Sequence, residues 1–298
     1  MSEEPLPTRY LELRTVCPLG DCPVTVYGEP HGSDMQIKGC SRWGEGHHCR
    51  AECAGQVSLE YAIELGRRVQ ETLEPAAFHR VEDLSISSWM SVSQRVGGDF
   101  QAVHCLDQRI LAIQGDVMGK GVNAALLAAY LLGLFEGLAQ QGLPLRQLLT
   151  GMNHSMCERT RSRTVFATAL ALEVDLATRH WSFSRAGHEL PLLTRGTGRL
   201  CRLVKDSGLP LGVDPHEHYP VYRRPLQSGD RLLLYTDGAL EAGATRGQFL
   251  EKMTLPEVRM EDLVETIPGV RPYRDDVSLL LFCCETLCRQ AGEVSGVS

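Results

Sequence analysis

The chain has 298 residues, 43% hydrophobic and 22% charged, enough apolar material to bury a full core in one large domain with a smaller one beside it. A net charge of −7 with no run of Lys and Arg excludes a general binder of nucleic acid, whose phosphates require clustered cations. The acidic opening Met1-Ser2-Glu3-Glu4-Pro5 lacks the apolar stretch of a secretory signal, and 11 unevenly spaced cysteines fit a reducing cytoplasm better than a disulfide framework.

Residues 1–55 place Cys17, Cys22, Cys40, Cys49 and Cys53 among Gly, Pro and His, including His31, His47 and His48, with little periodic apolar pattern. Close Cys pairs in a segment without an evident core point to a small module folded around a thiolate-held metal. Zinc is the first candidate and an iron–sulfur centre the second, with metal-free thiols as the plainer alternative. Residues 56–80 read as a connector. From Val57 to Leu73, the positions Leu59, Ala62, Ile63, Leu65, Val69 and Leu73 fall near helical spacing, and Pro75 ends the helix. Those apolar positions exceed what a solvated spacer needs, so the helix is expected to pack on the next domain or against its copy in a homodimer.

Residues 81–287 read as one domain and 288–298 as a polar tail. Strands are predicted around Leu84–Ser87, Arg109–Ile113, Phe166–Val174, Trp181–Phe183, Arg231–Tyr235 and Val277–Phe282, and helices at Val122–Gln140 and Leu145–Glu158. Ala169–Asp175 and His180–Ser184 form a hairpin around Leu176-Ala177-Thr178-Arg179. The apolar stretch Ala124–Ala139 is shorter than the roughly 20 residues of a spanning helix, and Glu136 interrupts it, so it reads as a core helix with no membrane role. Strands arriving in consecutive groups favour an antiparallel α+β architecture. Cys283, Cys284 and Cys288 lie at a strand end and read as structural.

Within this domain, acidic signatures stand where hydrophobic strands end: Gly97-Gly98-Asp99-Phe100, Gly115-Asp116-Val117-Met118-Gly119-Lys120-Gly121, Thr236-Asp237-Gly238 and Arg274-Asp275-Asp276. Each sets Asp beside Gly or at a strand edge, where backbone comes close to a ligand. Carboxylates gathered from distant points without His or Cys are the ligand set of a hard divalent cation such as Mg²⁺ or Mn²⁺. Two such cations would let an acidic site accept a phosphate dianion and would orient a water for in-line attack. An Asp-Gly alone is an ordinary turn; the combined set outweighs that reading. Lys120 is open to a substrate phosphate or to the role of a solvated loop lysine, Arg95 to a phosphate or a local carboxylate, and His188 is expected to satisfy a nearby backbone group.

Residues 66–284 resemble the SpoIIE/RsbU branch of the PPM-type metal-dependent serine/threonine phosphatases. The matching text is Arg95-Val96-Gly97-Gly98-Asp99-Phe100, Gly115-Asp116-Val117 through Ala125, Ala186-Gly187-His188, Gly208-Leu209-Pro210-Leu211-Gly212, Gly229-Asp230 through Glu241, and Arg274-Asp275-Asp276-Val277-Ser278. The resemblance implies an αββα sandwich with two Mn²⁺ or Mg²⁺ between loops at one edge of two antiparallel sheets. It implies that Asp116 bridges both ions and that the Val117 carbonyl adds a backbone ligand. Asp237 and Asp275 would complete one site, with Asp99 beside it and Asp276 as a further member. It also implies a phosphoserine or phosphothreonine protein as substrate, in bacterial partner switching an anti-sigma-factor antagonist. The chain departs from the family pattern at Gln101 and Ala102, at Met118 and Lys120, at Arg185, and in the short stretch between Asp237 and Asp275. No His in the second signature is available as leaving-group acid. The rival expectation is a non-catalytic module that keeps this fold and signals through its Cys-rich segment.

Overall fold

The computed structural model describes residues 11–16, 23–31, 34–40, 51–160, 165–196, 198–201, 203, 205–255, 257–269 and 272–285, with side chains from residue 60 onward. The chain divides into two units, residues 1–71 and 72–298. In the first, β1 (Leu11–Val16), β2 (Pro23–His31) and β3 (Asp34–Cys40) form an antiparallel meander, with a register shift between Tyr27 and Gly28. A segment expected to lack regular pattern is therefore a sheet: Val24 and Val26 alternate along β2 before Gly and Pro break the period. Cys17, Cys22 and Cys49, with His47 and His48, lie outside the described residues. So do the side chains of Cys40 and Cys53, whose backbones end β3 and enter the following helix.

That helix, α1, spans Ala51–Leu73, starting six residues before Val57. Glu64, Arg67, Arg68 and Glu71 pair along its charged face at three- and four-residue spacing. Val69 and Leu73 are 60% and 41% exposed. Strand β4 (Phe78–Val81) occupies the end of the segment expected to be connector.

The second unit continues with β5 (Leu84–Ser91), β6 (Asp99–Leu106), β7 (Arg109–Val117), α2 (Val122–Gln140), α3 (Leu145–Thr160), β8 (Ala167–Asp175), β9 (His180–Ala186), β10 (Leu192–Thr194) and β11 (Leu200–Cys201). Then come β12 (Tyr222–Pro225), β13 (Arg231–Tyr235), α4 (Asp237–Glu241), α5 (Arg246–Met253), α6 (Met260–Val264) and β14 (Val277–Cys284). Two antiparallel sheets result, ordered β11-β10-β13-β14-β5-β4 and β12-β9-β8-β7-β6. The predicted hairpin is β8–β9, whose turn Asp175 braces by accepting from the Thr178 amide at 2.8 Å.

Strand alternation sorts the side chains into layers. Ile110, Ala112, Leu170 and Leu172 meet Ile86, Leu232, Leu234, Leu280 and Phe282 between the sheets. The opposite face of the five-stranded sheet, with Phe100, Leu111 and Ile113, is covered by Ala124, Ala128, Leu131 and Phe135 of α2 and by Leu148 and Met152 of α3. Leu233, Leu279 and Leu281 on the far side of the other sheet are covered by Phe249, Met253 and Leu263 of α5 and α6. The order is helices, sheet, sheet, helices. By length and composition α2 could span a membrane, but Ala124, Ala128, Leu131, Leu132, Phe135 and Ala139 bury one face of it in this core.

Candidate active site

At one end of the sandwich the layer between the sheets changes from apolar to polar. Asp99 opens β6 and Asp116 nearly closes β7, and the two are direct cross-strand partners, with Gln101 facing Gln114 two residues inward. Like charges opposite each other destabilise an antiparallel pair, so this pairing calls for a compensating proton or cation. The facing sheet contributes Thr236 and Ser278. Thr236 Oγ1 donates to Asp99 Oδ2 at 2.8 Å and accepts from the Ser278 amide at 2.9 Å, while Gln114 Nε2 donates to Ser278 Oγ at 3.0 Å. Asp99, Gln101, Gln114, Thr236 and Ser278 are all buried.

The other acidic residues converge on the same end. Asp237 is the first residue of α4, directly after Thr236, and Asp275 and Asp276 precede β14. Gly238 lies so close to this segment that an added Cβ would sit 1.9 Å from the Asp276 carbonyl oxygen, which requires glycine there. The electrostatics record the crowding. Burial, then Asp237, Asp275 and Asp276, push the Asp116 carboxyl up to about 7 from an ordinary 3.8, with Lys120 acting weakly the other way. Asp99 is raised well above 3.8 by burial and by Asp116 and Asp276, against hydrogen bonds from Thr236 and Ser278. Asp237 is raised by burial, Asp275 and Glu189. Desolvated like-charged carboxylates gathered in this way mark a candidate ion site.

Asp275 and Asp276 differ in what they touch. Asp276 is buried, and its Oδ1 accepts from the Ser93 amide at 2.6 Å and its Oδ2 from the Gly98 amide at 2.7 Å. It braces the loop that carries the first signature, with one backbone amide on each carboxylate oxygen. Asp275 is half-buried and is met by Lys120 Nζ at 2.8 Å from Oδ1. The Val117 carbonyl closes over Gly98, where an added Cβ would meet it at 2.9 Å. Among the described residues no three His, Cys, Asp or Glu side chains stand close enough to form a ready-made metal cage. The donor chemistry nevertheless fits hard divalent cations: oxygen ligands only, from Asp99, Asp116, Asp237, Asp275 and the Val117 carbonyl, with excess negative charge.

Sequence reading missed Glu189, Ser93 and Thr236. Glu189 follows the Ala186-Gly187-His188 motif, faces Asp237 electrostatically and is paired with Arg246, which also donates to Tyr235 Oη at 2.7 Å. His188 is buried, with Nδ1 2.9 Å from Thr168 Oγ1, and burial followed by Arg185 keeps it neutral down to about 3. Arg95 is exposed on the loop before Asp99. Two further motifs are structural. Asp230 accepts from the Gln227 amide, Trp181 Nε1 and Arg195, and Gly212 donates to Asn153 Oδ1 at 2.8 Å, pinning its loop to α3.

The family described as Stage II sporulation protein E (SpoIIE) matches residues 106–285, more than half of the chain and all the site apart from the first signature. This chain belongs to the SpoIIE family. It is 28% identical over 218 residues to phosphoserine phosphatase RsbP of Bacillus subtilis (strain 168), covering 71% of this chain and 53% of RsbP. It is 24% identical over 234 residues to phosphoserine phosphatase RsbU of the same organism, covering 78% of this chain and 69% of RsbU. The chain thus spans about half the length of RsbP. The crystal structure of RsbX in complex with magnesium matches with TM-score 0.58 at 17% identity over 69% of this chain and 98% of that one, which establishes the common fold.

Proposed function

We propose that this SpoIIE-family chain is a divalent-metal-dependent phosphatase that hydrolyses a phosphoserine or phosphothreonine on a regulatory protein. The substrate class we assign is an anti-sigma-factor antagonist in bacterial partner switching. The observation that carries the reading is the facing pair Asp99 and Asp116 on β6 and β7, joined by Asp237 and Asp275 from the opposite sheet. Such a group holds excess negative charge that divalent cations offset, and a phosphoester is a substrate that requires them. Two bound cations, Mn²⁺ or Mg²⁺, supply charge neutralisation for the phosphate and a water of lowered pKa. Magnesium in RsbX, which shares the fold, supports that choice.

The residues divide the work. Asp116, Asp237, Asp275 and the Val117 carbonyl hold cations, with Asp99 beside them oriented by Thr236. Asp276 holds the 93–98 loop against the site, and Gly238 lets α4 approach closely enough to present Asp237. No His lies in the second signature to serve as leaving-group acid. The intact carboxylate set argues against the rival reading of a non-catalytic binding module.

Hydrolysis of p-nitrophenyl phosphate and of a phosphoserine protein, with and without Mn²⁺, tests this. Asp116→Asn and Asp237→Asn are each expected to cost more than about a hundredfold, beyond the loss of an outer-shell partner. Near-wild-type turnover of either variant at saturating Mn²⁺ would overturn the ligand assignment. For residues 1–55 we propose a structural zinc held by thiolates from Cys17, Cys22, Cys40, Cys49 and Cys53. Metal retained after dialysis in the full chain and missing from a chain beginning at Val57 supports it, and a full count of free thiols without metal discards it.

A further inference from the structure

Lys120 stands between two glycines with positive φ, Gly119 at 98° and Gly121 at 72°, in the turn from β7 to α2. That backbone carries its side chain across to the other sheet's loop. There Nζ lies 2.8 Å from Asp275 Oδ1 and donates to the Arg274 carbonyl at 2.8 Å. The Lys120 side chain is 41% exposed and that of Asp275 33%, so the pair opens to solvent and is a weak one. It nevertheless occupies a carboxylate that the cation site needs. Lys120 follows Asp116 and Val117 at the end of β7 by four and three residues, so its side chain stays within reach of the same site. A flexible four-carbon stem with a compact charge suits such an exchange of partners.

We propose that Lys120 is an exchangeable counter-ion: it neutralises Asp275 while the site holds no cation, and is released to the substrate's phosphate once a cation takes Asp275. This rests on the metal-dependent phosphatase reading and adds to it a residue for the phosphate. The exchange breaks one ion pair and forms another, with no change of protonation. Two consequences are separable. Lys120 competes with the cation, so removing it strengthens cation binding. Lys120 also serves the phosphate, so removing it weakens phosphate binding in the loaded site.

The test uses the full chain, with Mn²⁺ binding followed by electron paramagnetic resonance and inorganic phosphate binding by calorimetry in excess Mg²⁺. Lys120→Gln is expected to bind Mn²⁺ several-fold tighter and phosphate about tenfold more weakly, a tenfold change corresponding to about 1.4 kcal/mol. Lys120→Arg keeps the charge and is expected to stay near wild type in the first measurement. Unchanged or weaker Mn²⁺ binding by Lys120→Gln overturns the counter-ion role, and unchanged phosphate affinity overturns the phosphate role. Wild-type protein that binds no Mn²⁺, indistinguishable from Asp116→Asn, sinks the underlying reading instead. Circular dichroism of both Lys120 variants confirms that each is folded before it is scored.

Discussion

Asp275 and Asp276 are neighbours in sequence with opposite tasks. Asp275 faces the site, whereas both oxygens of Asp276 accept backbone amides of the 93–98 loop. Asn at position 276 keeps one acceptor oxygen and turns an NH₂ toward the other amide. Asp276→Asn should therefore lower stability by about 1–3 kcal/mol, the cost of a buried donor left without a partner. Turnover should fall while Mn²⁺ affinity stays within a few-fold. A loss of Mn²⁺ binding as deep as that of Asp116→Asn would return Asp276 to the ligand set. Gly238→Ala tests the neighbouring contact: its methyl would land on the Asp276 carbonyl, so α4 must shift. Destabilisation of about 1–3 kcal/mol is expected, as for other overpacked sites, and thermal unfolding measures it. Residue roles of this kind were only half legible in the sequence. Four Asp-bearing signatures at strand ends marked the site, because Asp next to Gly is a local signal. Division of labour between Asp275 and Asp276 depends on which way each side chain turns, which local text does not encode. Glu189 and Thr236 escaped for the same reason, since their importance comes from the opposite sheet.

At the level of elements, long periodic segments were readable and short ones were not. The predicted helices over 122–140 and 145–158 correspond to α2 and α3, and the central strands fell near their observed places, because each repeats its period several times. Helices α4 and α6 are five residues each and α5 eight, too short for a 3.6-residue pattern to declare itself. The meander β1–β3 was hidden because Gly28 and Pro30 interrupt the alternation within β2. For α1, with its charged face paired and Val69 and Leu73 exposed, the apolar positions are the ones available to couple the helix to the next domain or to a second copy. Leu65→Gln with Val69→Gln is expected to change the Mn²⁺ concentration for half-maximal phosphatase activity by several-fold. Unchanged metal dependence in a normally folded variant would make α1 a tether and nothing more.

Across the whole molecule, a stable core surrounds an end that resists its own charge. The Asp116 carboxyl is held near 7 in the fold against 3.8 in an ordinary chain, mainly by burial and then by Asp237 and its neighbours. Between those values the folded, metal-free protein binds the extra proton, so its stability declines as pH rises from about 4 to about 7. Thermal unfolding in chelator should show that decline, and Asp116→Asn should flatten it; a slope unaffected by the substitution would remove Asp116 as its source. Added Mn²⁺ should abolish the decline by replacing the proton. The chain Gln114–Ser278–Thr236–Asp99 has one more consequence. Two of its members belong to each sheet, so at this end the gap between sheets is gauged by hydrogen-bond lengths, while farther along it is gauged by the bulk of Ala112, Leu234 and Leu280. Those two gauges must agree. A single added methyl pair, as in Ala112→Val two residues from Gln114, is expected to wedge the sheets apart, so that the thickness of an oily layer would set how closely the carboxylates at this end converge.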